Sequence, residues 1–236
     1  MKAMIFAAGL GTRLRPLTND RPKALVEFKG KTLLEHTIDK LKAAGVDALV
    51  VNVHHYADKV IDFLQAKDFG LDIAISDERD QLLDTGGGLR KAAPLLGNEP
   101  FFIHNVDIIS DIDLKALMAA HMASGAMATL ATRPTEAERY FMKNDENILC
   151  GWGNHRTGEE IVSRPAEVLH KLAFTGIHVV STALLKYIAP EGPVSIIDAY
   201  LAAAKKEKIL CFSCENNRWM DVGTPEALAE ARTKFE

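Results

Sequence analysis

The stretch Lys2-Ala3-Met4-Ile5-Phe6-Ala7-Ala8-Gly9-Leu10-Gly11-Thr12-Arg13-Leu14-Arg15-Pro16 decides how this chain is read. Its apolar run looks slightly like a secretory signal, but it is short, and Gly9, Gly11, Arg13 and Arg15 follow at once. It predicts a buried strand over 2–6 and a cytoplasmic protein. The glycine loop behind the strand has three chemical readings. A dinucleotide fingerprint would need Gly or Ala where Leu14 stands and a helix starting here, and a residue before proline, such as Arg15, avoids the α region. A P-loop would need Gly-Lys-Ser/Thr, which is absent. The third reading is an irregular loop whose amides cradle an anion and which delivers Arg13 to a phosphate. A bland structural turn competes with all three.

Outward from this loop, short apolar runs alternate with amphipathic stretches. Strands are predicted over 2–6, 48–53, 72–76, 101–105 and 128–132, and helices over 32–44, 57–64, 88–96 and 114–124. That alternation is the pattern of an α/β fold with a mostly parallel sheet. From 134 to 165 the rhythm breaks into polar residues and glycines, with strands only near 148–152 and 160–163, so an inserted hairpin region is expected. Strands at 173–180 and 209–213 and a helix at 196–206 follow. A closing helix over 224–234 has Thr224 as N-cap, Pro225 at its first position and Glu226 at the positive end of its dipole. The 236 residues carry 28 Lys plus Arg against 32 Asp plus Glu, a net charge of −4, with 47% hydrophobic residues. This composition excludes disorder and argues against a dedicated nucleic-acid binder. No run approaches the roughly 18 apolar residues of a membrane helix. Three cysteines, Cys150, Cys211 and Cys214, make a disulfide framework improbable. Cys211 and Cys214 form a C-x-x-C within a predicted strand, where residues three apart face opposite sides, so inert cysteines are expected.

Ligands of open α/β sheets bind beyond the carboxyl ends of the strands, which is where chemistry should be sought. Arg13 and Lys23 place two cations on the first such loop, a pattern suited to polyphosphate. Thr85-Gly86-Gly87-Gly88 fits either a flat ligand on bare backbone or a tight turn capped by Thr85. Asp107 follows the strand at 101–105 and suits a magnesium ligand, with Asp221 as the second carboxylate; Asp113 fits better as a helix cap. His54-His55 is a poor shared metal site, because neighbours in extended chain point apart. Either histidine could contact a base edge. Trp152 and Trp219 read as packing residues.

The combination is specific. Ala7-Ala8-Gly9-Leu10-Gly11-Thr12-Arg13, Arg21-Pro22-Lys23-Ala24-Leu25, Thr85-Gly86-Gly87, Asp107, Phe174-Thr175-Gly176-Ile177 and Trp219-Met220-Asp221-Val222-Gly223-Thr224-Pro225 resemble the signature of the sugar-1-phosphate nucleotidyltransferases, in that family's order and across nearly the whole chain. The resemblance implies a glycosyltransferase-A-like nucleotide-diphospho-sugar transferase fold, with a Rossmann-like, mostly parallel mixed sheet flanked by helices. It implies one domain over 1–236, with a nucleotide-binding core at 1–133. The sugar-phosphate part is 134–236, including the inserted hairpin at 134–165 and the returning Asp221. The implied reaction is magnesium-dependent: NTP plus sugar 1-phosphate gives NDP-sugar plus pyrophosphate, for cell-wall or surface-polysaccharide precursors, without a covalent intermediate.

By resemblance, catalysis falls to Arg13, Lys23 and Asp107, and magnesium to Asp107 and Asp221. The nucleotide is held by Ala8, Gly9, Gly11, Thr12, Arg13, Lys23, Thr85, Gly86, Gly87 and Asn105. The sugar phosphate is held by Asn154, Glu160, Arg164, Thr175, Gly176 and Asp198, with Arg164 standing where many members grip phosphate with lysine. Two departures are Ala24, where many members have proline, and Val106-Asp107, where Gly-Asp is usual. No further domain is expected after Phe235, nor any membrane or nucleic-acid partner, and a homo-oligomer is compatible with the sequence. Short members of this kind resemble N-acetylmuramate-1-phosphate uridylyltransferases and mannose- or heptose-1-phosphate guanylyltransferases. Phosphocholine cytidylyltransferases share the fold, and an aromatic cage for choline would come from Tyr140, Phe141 and Trp152. A catalytically dead regulatory relative is the alternative from another class, opposed by the presence of Arg13, Lys23, Asp107 and Asp221.

Overall fold

Ala3, Met4 and Ile5 have no exposed surface, as a strand covered on both faces requires. This strand, β1 (Lys2–Phe6), lies at the centre of a computed structural model that describes residues 1–134 and 136–235; Thr135 of the inserted region and Glu236 lie outside them. The chain continues through the short hairpin β2 (Glu27–Phe28) and β3 (Lys31–Thr32), α1 (Leu33–Ala43), β4 (Ala48–Val53), α2 (Ala57–Gln65), β5 (Asp72–Asp77) and α3 (Asp84–Leu96). Next come β6 (Phe101–Asn105), β7 (Ile108–Ser110), α4 (Leu114–Ser124) and β8 (Ala128–Arg133). The inserted region forms β9 (Arg139–Lys143), β10 (Leu149–Asn154) and β11 (Glu159–Val162). The chain then returns through β12 (His170–Val180), α5 (Ile196–Ala204), β13 (Ile209–Ser213), β14 (Trp219–Asp221) and α6 (Pro225–Lys234).

The main sheet has ten strands in the order β11-β10-β9-β12-β6-β1-β4-β5, with β8 beside β12 and β13 beside β8. β6, β1, β4 and β5 run parallel, so their carboxyl ends share one edge. From β12 outward the pairing is antiparallel through β9, β10 and β11. β12 is irregular around Gly176, whose φ is +76°: residues 170–172 pair with β9 and 177–180 with β6, while β8 pairs on both sides with a register shift between Phe174 and His178. The pleat divides β1 between two cores. Ala3 and Ile5 join Leu34, Ile38 and Val51 on one face, while Met4 and Phe6 join Ile103, Leu89 and Tyr200 on the other. Each such large side chain contributes about 1.5–3 kcal/mol by burial.

Local chemistry sets the helix starts. Thr32 and Glu35 form a reciprocal capping box on α1. Asp113 accepts from the Lys115 and Ala116 amides, the capping role expected for it. Thr224 caps α6 ahead of Pro225. One helix departs from expectation: α3 begins at Asp84, four residues before the predicted start, and takes the glycine run into its first turn. No helix among the described residues is long and apolar enough to cross a membrane.

Candidate active site

The loop after β1 folds back on itself. The Ala7 amide donates to Asn52 Oδ1 at 2.7 Å, Gly11 turns the chain with φ +66°, and the Thr18 hydroxyl donates to the Gly11 carbonyl at 2.8 Å. A side chain at Gly11 would start 3.1 Å from Thr18 Cγ2 and 3.2 Å from Lys23 Cβ, so glycine is what lets Lys23 tuck beneath the loop. Thr12 opens a single helical turn that ends with Leu14 buried and Arg15 extended. This is the irregular loop, and no long helix follows it.

Lys23 Nζ donates to Asp107 Oδ2 at 2.7 Å, with the two side chains only 16% and 7% exposed. Asp107 is carried past the end of β6, and its carbonyl accepts from the Val222 amide at 2.9 Å. That bond fastens the β14 segment to it. Asp221 enters from β14, paired with Ile108 of β7, and its Oδ1 accepts from the Gly223 amide at 2.8 Å. Arg13 Nη2 lies 3.4 Å from Asp221 Oδ2 and 3.9 Å from Asp107 Oδ2. Two cations and two carboxylates from three distant segments therefore converge at the strand ends.

They form one end of a cleft of about 550 Å³, lined also by Phe6, Ala8, Gly9, Asn105, Asn52, Glu78, Leu82, Asp84, Thr85 and Pro193. At the other end, Asn52 Nδ2 donates to Glu78 Oε1 at 2.7 Å, and the Leu83 amide donates to Glu78 Oε2 at 3.2 Å. Burial raises the Glu78 carboxyl above the usual range, against the opposing pull of these two bonds. Asn52 thus ties the loop after β1 to the segment that opens α3.

Asp107 and Asp221 are hard oxygen donors close enough for one guanidinium nitrogen to reach both. Among the described residues no group of three or more His, Cys, Asp or Glu could hold a metal, and Asp107 and Asp221 are the pair of carboxylates that meet at Arg13. Magnesium takes one or two protein carboxylates together with substrate phosphates, and this donor set fits it.

Of the residues expected from sequence, Ala8, Gly9, Arg13, Lys23, Thr85, Asn105, Asp107 and Asp221 line the cleft, while Gly11 and Thr12 shape its loop. Others lie outside the cleft lining. The Gly86 and Gly87 amides donate to Val194 O, and a Cβ at Gly86 would meet that oxygen at 2.9 Å. The glycines admit the chain's own 192–195 backbone, and Thr85 Oγ1 accepts from the Ile196 amide instead of capping α3. Arg164 holds the end of α5, donating to the carbonyls of Ala204 and Glu207 at 2.9 Å each, so its guanidinium is committed. Asn154 accepts from the Arg156 amide in a turn. Glu160 pairs with Tyr140 and Lys171 on the hairpin. Thr175 is fully buried, donating to Ala131 O and accepting from Trp219 Nε1 at its carbonyl. Gly176 backs onto Asn105, and Asp198 is exposed in the first turn of α5. None of these six lines the cleft.

The choline cage is not assembled either. Phe141 and Trp152 pack into the core, and Tyr140 is buried against Gly153. His54 bonds to the Glu78 carbonyl through Nδ1 at 2.7 Å. The three cysteines are free and buried; burial pushes Cys211 up to about 12 and Cys214 up to about 11. Sequence reasoning missed Asn52, Glu78, Asp84, Pro193 and Thr18. Asn52, the one polar residue within Leu49-Val50-Val51-Asn52-Val53, carried a signal that was readable.

Residues 2–236 match the family model described as Nucleotidyl transferase. The chain belongs to the nucleotidyl transferase family. It is 38% identical to the N-acetylmuramate alpha-1-phosphate uridylyltransferase of Caulobacter vibrioides, covering 98% of this chain and 96% of that protein. It is 33% identical to a mannose-1-phosphate guanyltransferase of Schizosaccharomyces pombe, covering 96% of this chain but 62% of that protein. Among solved structures, HddC from Yersinia pseudotuberculosis complexed with GMP-PN shares the fold, with a TM-score of 0.78, 20% identity and coverage of 100% and 99% of the two chains. The nucleotidyltransferase resemblance read from the motifs and the α/β fold it implied are both met.

Proposed function

We propose that this chain transfers a uridylyl group from UTP to a sugar 1-phosphate, giving a UDP-sugar and pyrophosphate. The convergence of Arg13, Lys23, Asp107 and Asp221 at the strand ends carries the reading. The choice of UTP is supported by the uridylyltransferase relative, which this chain matches over 96% of that protein's length. The acceptor's phosphate oxygen is already anionic, so it attacks the α-phosphorus without a side-chain base. What the reaction needs is charge neutralisation and alignment.

In this reading, Arg13 and the amides of loop 8–13 hold the triphosphate. Lys23, oriented by Asp107, offsets charge where attacking and α-phosphates meet. Thr85 and Asn105 border the nucleoside. Asp107 and Asp221 hold magnesium, which supplies further charge neutralisation on the phosphates when bound. The core over 1–133 supplies most nucleotide contacts, and 134–236 supplies Asp221 and the acceptor side. The protein works in the cytoplasm, where nucleoside triphosphates are made, on precursors of cell wall or surface polysaccharide.

The test is pyrophosphate release with magnesium, across the four common NTPs and a panel of sugar 1-phosphates plus phosphocholine. Release with UTP and a sugar 1-phosphate is expected. Release with phosphocholine alone, or silence throughout from folded protein, overturns the reading.

A further inference from the structure

The strand-end cleft has two walls that are distant in the chain. Ala8, Gly9, Arg13 and Lys23, on the loop after β1, line one; Leu82, Asp84 and Thr85, where α3 opens, line the other. Three hydrogen bonds through buried side chains join these walls. The Ala7 amide donates to Asn52 Oδ1 at 2.7 Å, Asn52 Nδ2 donates to Glu78 Oε1 at 2.7 Å, and the Leu83 amide donates to Glu78 Oε2 at 3.2 Å. Asn52 is 3% exposed and Glu78 not at all. The first bond fixes the orientation of the Asn52 amide, because a backbone N–H needs an oxygen. Its NH2 group then needs an acceptor, and the Leu83 amide needs another, so both Glu78 oxygens must accept. A glutamine would offer one. The third glycine of the run makes room for the pair: a Cβ at Gly88 would stand 2.7 Å from Glu78 Oε1 and 3.0 Å from Asn52 Nδ2. Glycine inside a helix costs about 1 kcal/mol relative to alanine, and α3 carries it where the pair packs against the helix.

We propose that Asn52 and Glu78 are positioning residues: they hold the wall that takes the triphosphate at a fixed distance from the wall that takes the nucleoside. The inference rests on the nucleotidyltransferase reading above. A nucleoside triphosphate is two ligands joined by one ester oxygen. Joining them gains affinity in full only where the two half-sites already stand at the matching separation. A buried polar chain holds that separation, since no link can shift without leaving a buried donor or acceptor unpaired. Both ends of the Asn52 amide and both Glu78 oxygens are engaged by the protein. The pair therefore acts through the two walls it joins, and its contribution is to the coupling between them.

The quantity to measure is the gain from attaching uridine: the dissociation constant of tripolyphosphate divided by that of UTP, each by calorimetry with magnesium. Loss of folded protein weakens both ligands alike and cancels in this ratio. Asn52→Asp keeps an acceptor for the Ala7 amide and sets two carboxyl groups against each other at the middle link. Glu78→Gln turns an NH2 group toward one of its two donors. Each should cut the ratio about 10- to 100-fold, the size of a hydrogen bond to a charged group. Combining Asn52→Asp with Glu78→Gln reverses the middle bond. The new carboxylate then accepts from the Ala7 amide and from the new side-chain amide, whose oxygen accepts from the Leu83 amide. All three bonds and the net charge return, so the ratio should recover to within about threefold of wild type. Glu78→Asp, which keeps the charge and shortens the reach by one methylene, replaces Glu78→Gln as the single variant if the latter does not fold. Single variants of lower thermal stability with an unmoved ratio would make the pair purely structural and overturn the inference. So would a ratio that falls in the single variants and stays low in a folded double variant. Either result leaves the nucleotidyltransferase reading standing, whereas wild-type protein that binds UTP no tighter than tripolyphosphate overturns both.

Discussion

Gly223 follows Asp221 and Val222, and its φ is not in the left-handed region, so space and not backbone freedom calls for glycine there. A Cβ at this position would stand 2.6 Å from Arg13 Nη2 and 2.7 Å from Asp221 Oδ1. Ordinary contacts begin near 3.5 Å, so Gly223→Ala demands that these atoms retreat by roughly 0.9 and 0.8 Å. Asp221 Oδ1 is held by the Gly223 amide, whereas the Arg13 side chain is 62% exposed, so Arg13 yields. A 1 Å misplacement of a positioning group costs on the order of 100-fold. Pyrophosphate release should therefore fall about 100-fold in kcat/KM. Unfolding in urea should change by less than about 1 kcal/mol, because the new methyl displaces an exposed side chain and alanine stiffens the unfolded chain. The decisive arm is the double variant. If the methyl acts through Arg13, Gly223→Ala adds little to Arg13→Ala. A Gly223→Ala enzyme within threefold of wild type, or losses that multiply in the double variant, refutes this reasoning.

Lys23→Ala should lower kcat by about 100- to 1,000-fold while UTP affinity by calorimetry moves only a few-fold, because Lys23 acts on charge developing in the transition state. A change confined to affinity would make it a ground-state binder. Arg164→Met should lower stability by about 1–3 kcal/mol through two lost bonds to the end of α5 and leave kcat/KM within twofold; activity loss without destabilisation would return it to phosphate binding. His104 and His178 are buried neutral, and burial depresses their pKa values to about 4 and about 3 from 6.5. Below 6.5 the unfolded chain binds protons that the folded one refuses, so stability falls as pH drops from 6.5 toward 4. Between pH 7.5 and 5.5 the expected loss is roughly 1.4 kcal/mol per imidazole, measured by urea unfolding; a flat profile over that range would show that one or both rings are protonated in the fold.

The strands at 2–6, 48–53, 101–105 and 209–213 were legible to the residue because each is a short apolar run closed by polar or glycine punctuation. β9 escaped notice because Arg139 and Lys143 bracket its apolar Tyr140-Phe141-Met142 centre. β7 and β14 were hidden because each is only three residues long and exists by pairing with the other. In the site, Arg13, Lys23, Asp107 and Asp221 stood out as charges at strand ends or in motifs. The packing partner of the glycine run could not be read, because a glycine's reason is whatever backbone approaches it. Here that backbone is 192–195, more than 100 residues away. The bonds of Arg164 were hidden for a similar reason: its partners are carbonyls, which no side-chain pattern reveals.

The seam between Thr85-Gly86-Gly87 and the 192–195 segment has a bearing on how the enzyme is made. A nascent chain that has emerged only as far as β8 already carries the four parallel strands and both cations. It lacks Pro193 against the α3 turn, the Ile196 amide on Thr85, and Asp221 beside Asp107. The cleft gains its Pro193 wall and its second carboxylate only from the last fifth of the chain, so a chain that stops at β8 presents the strand ends without either.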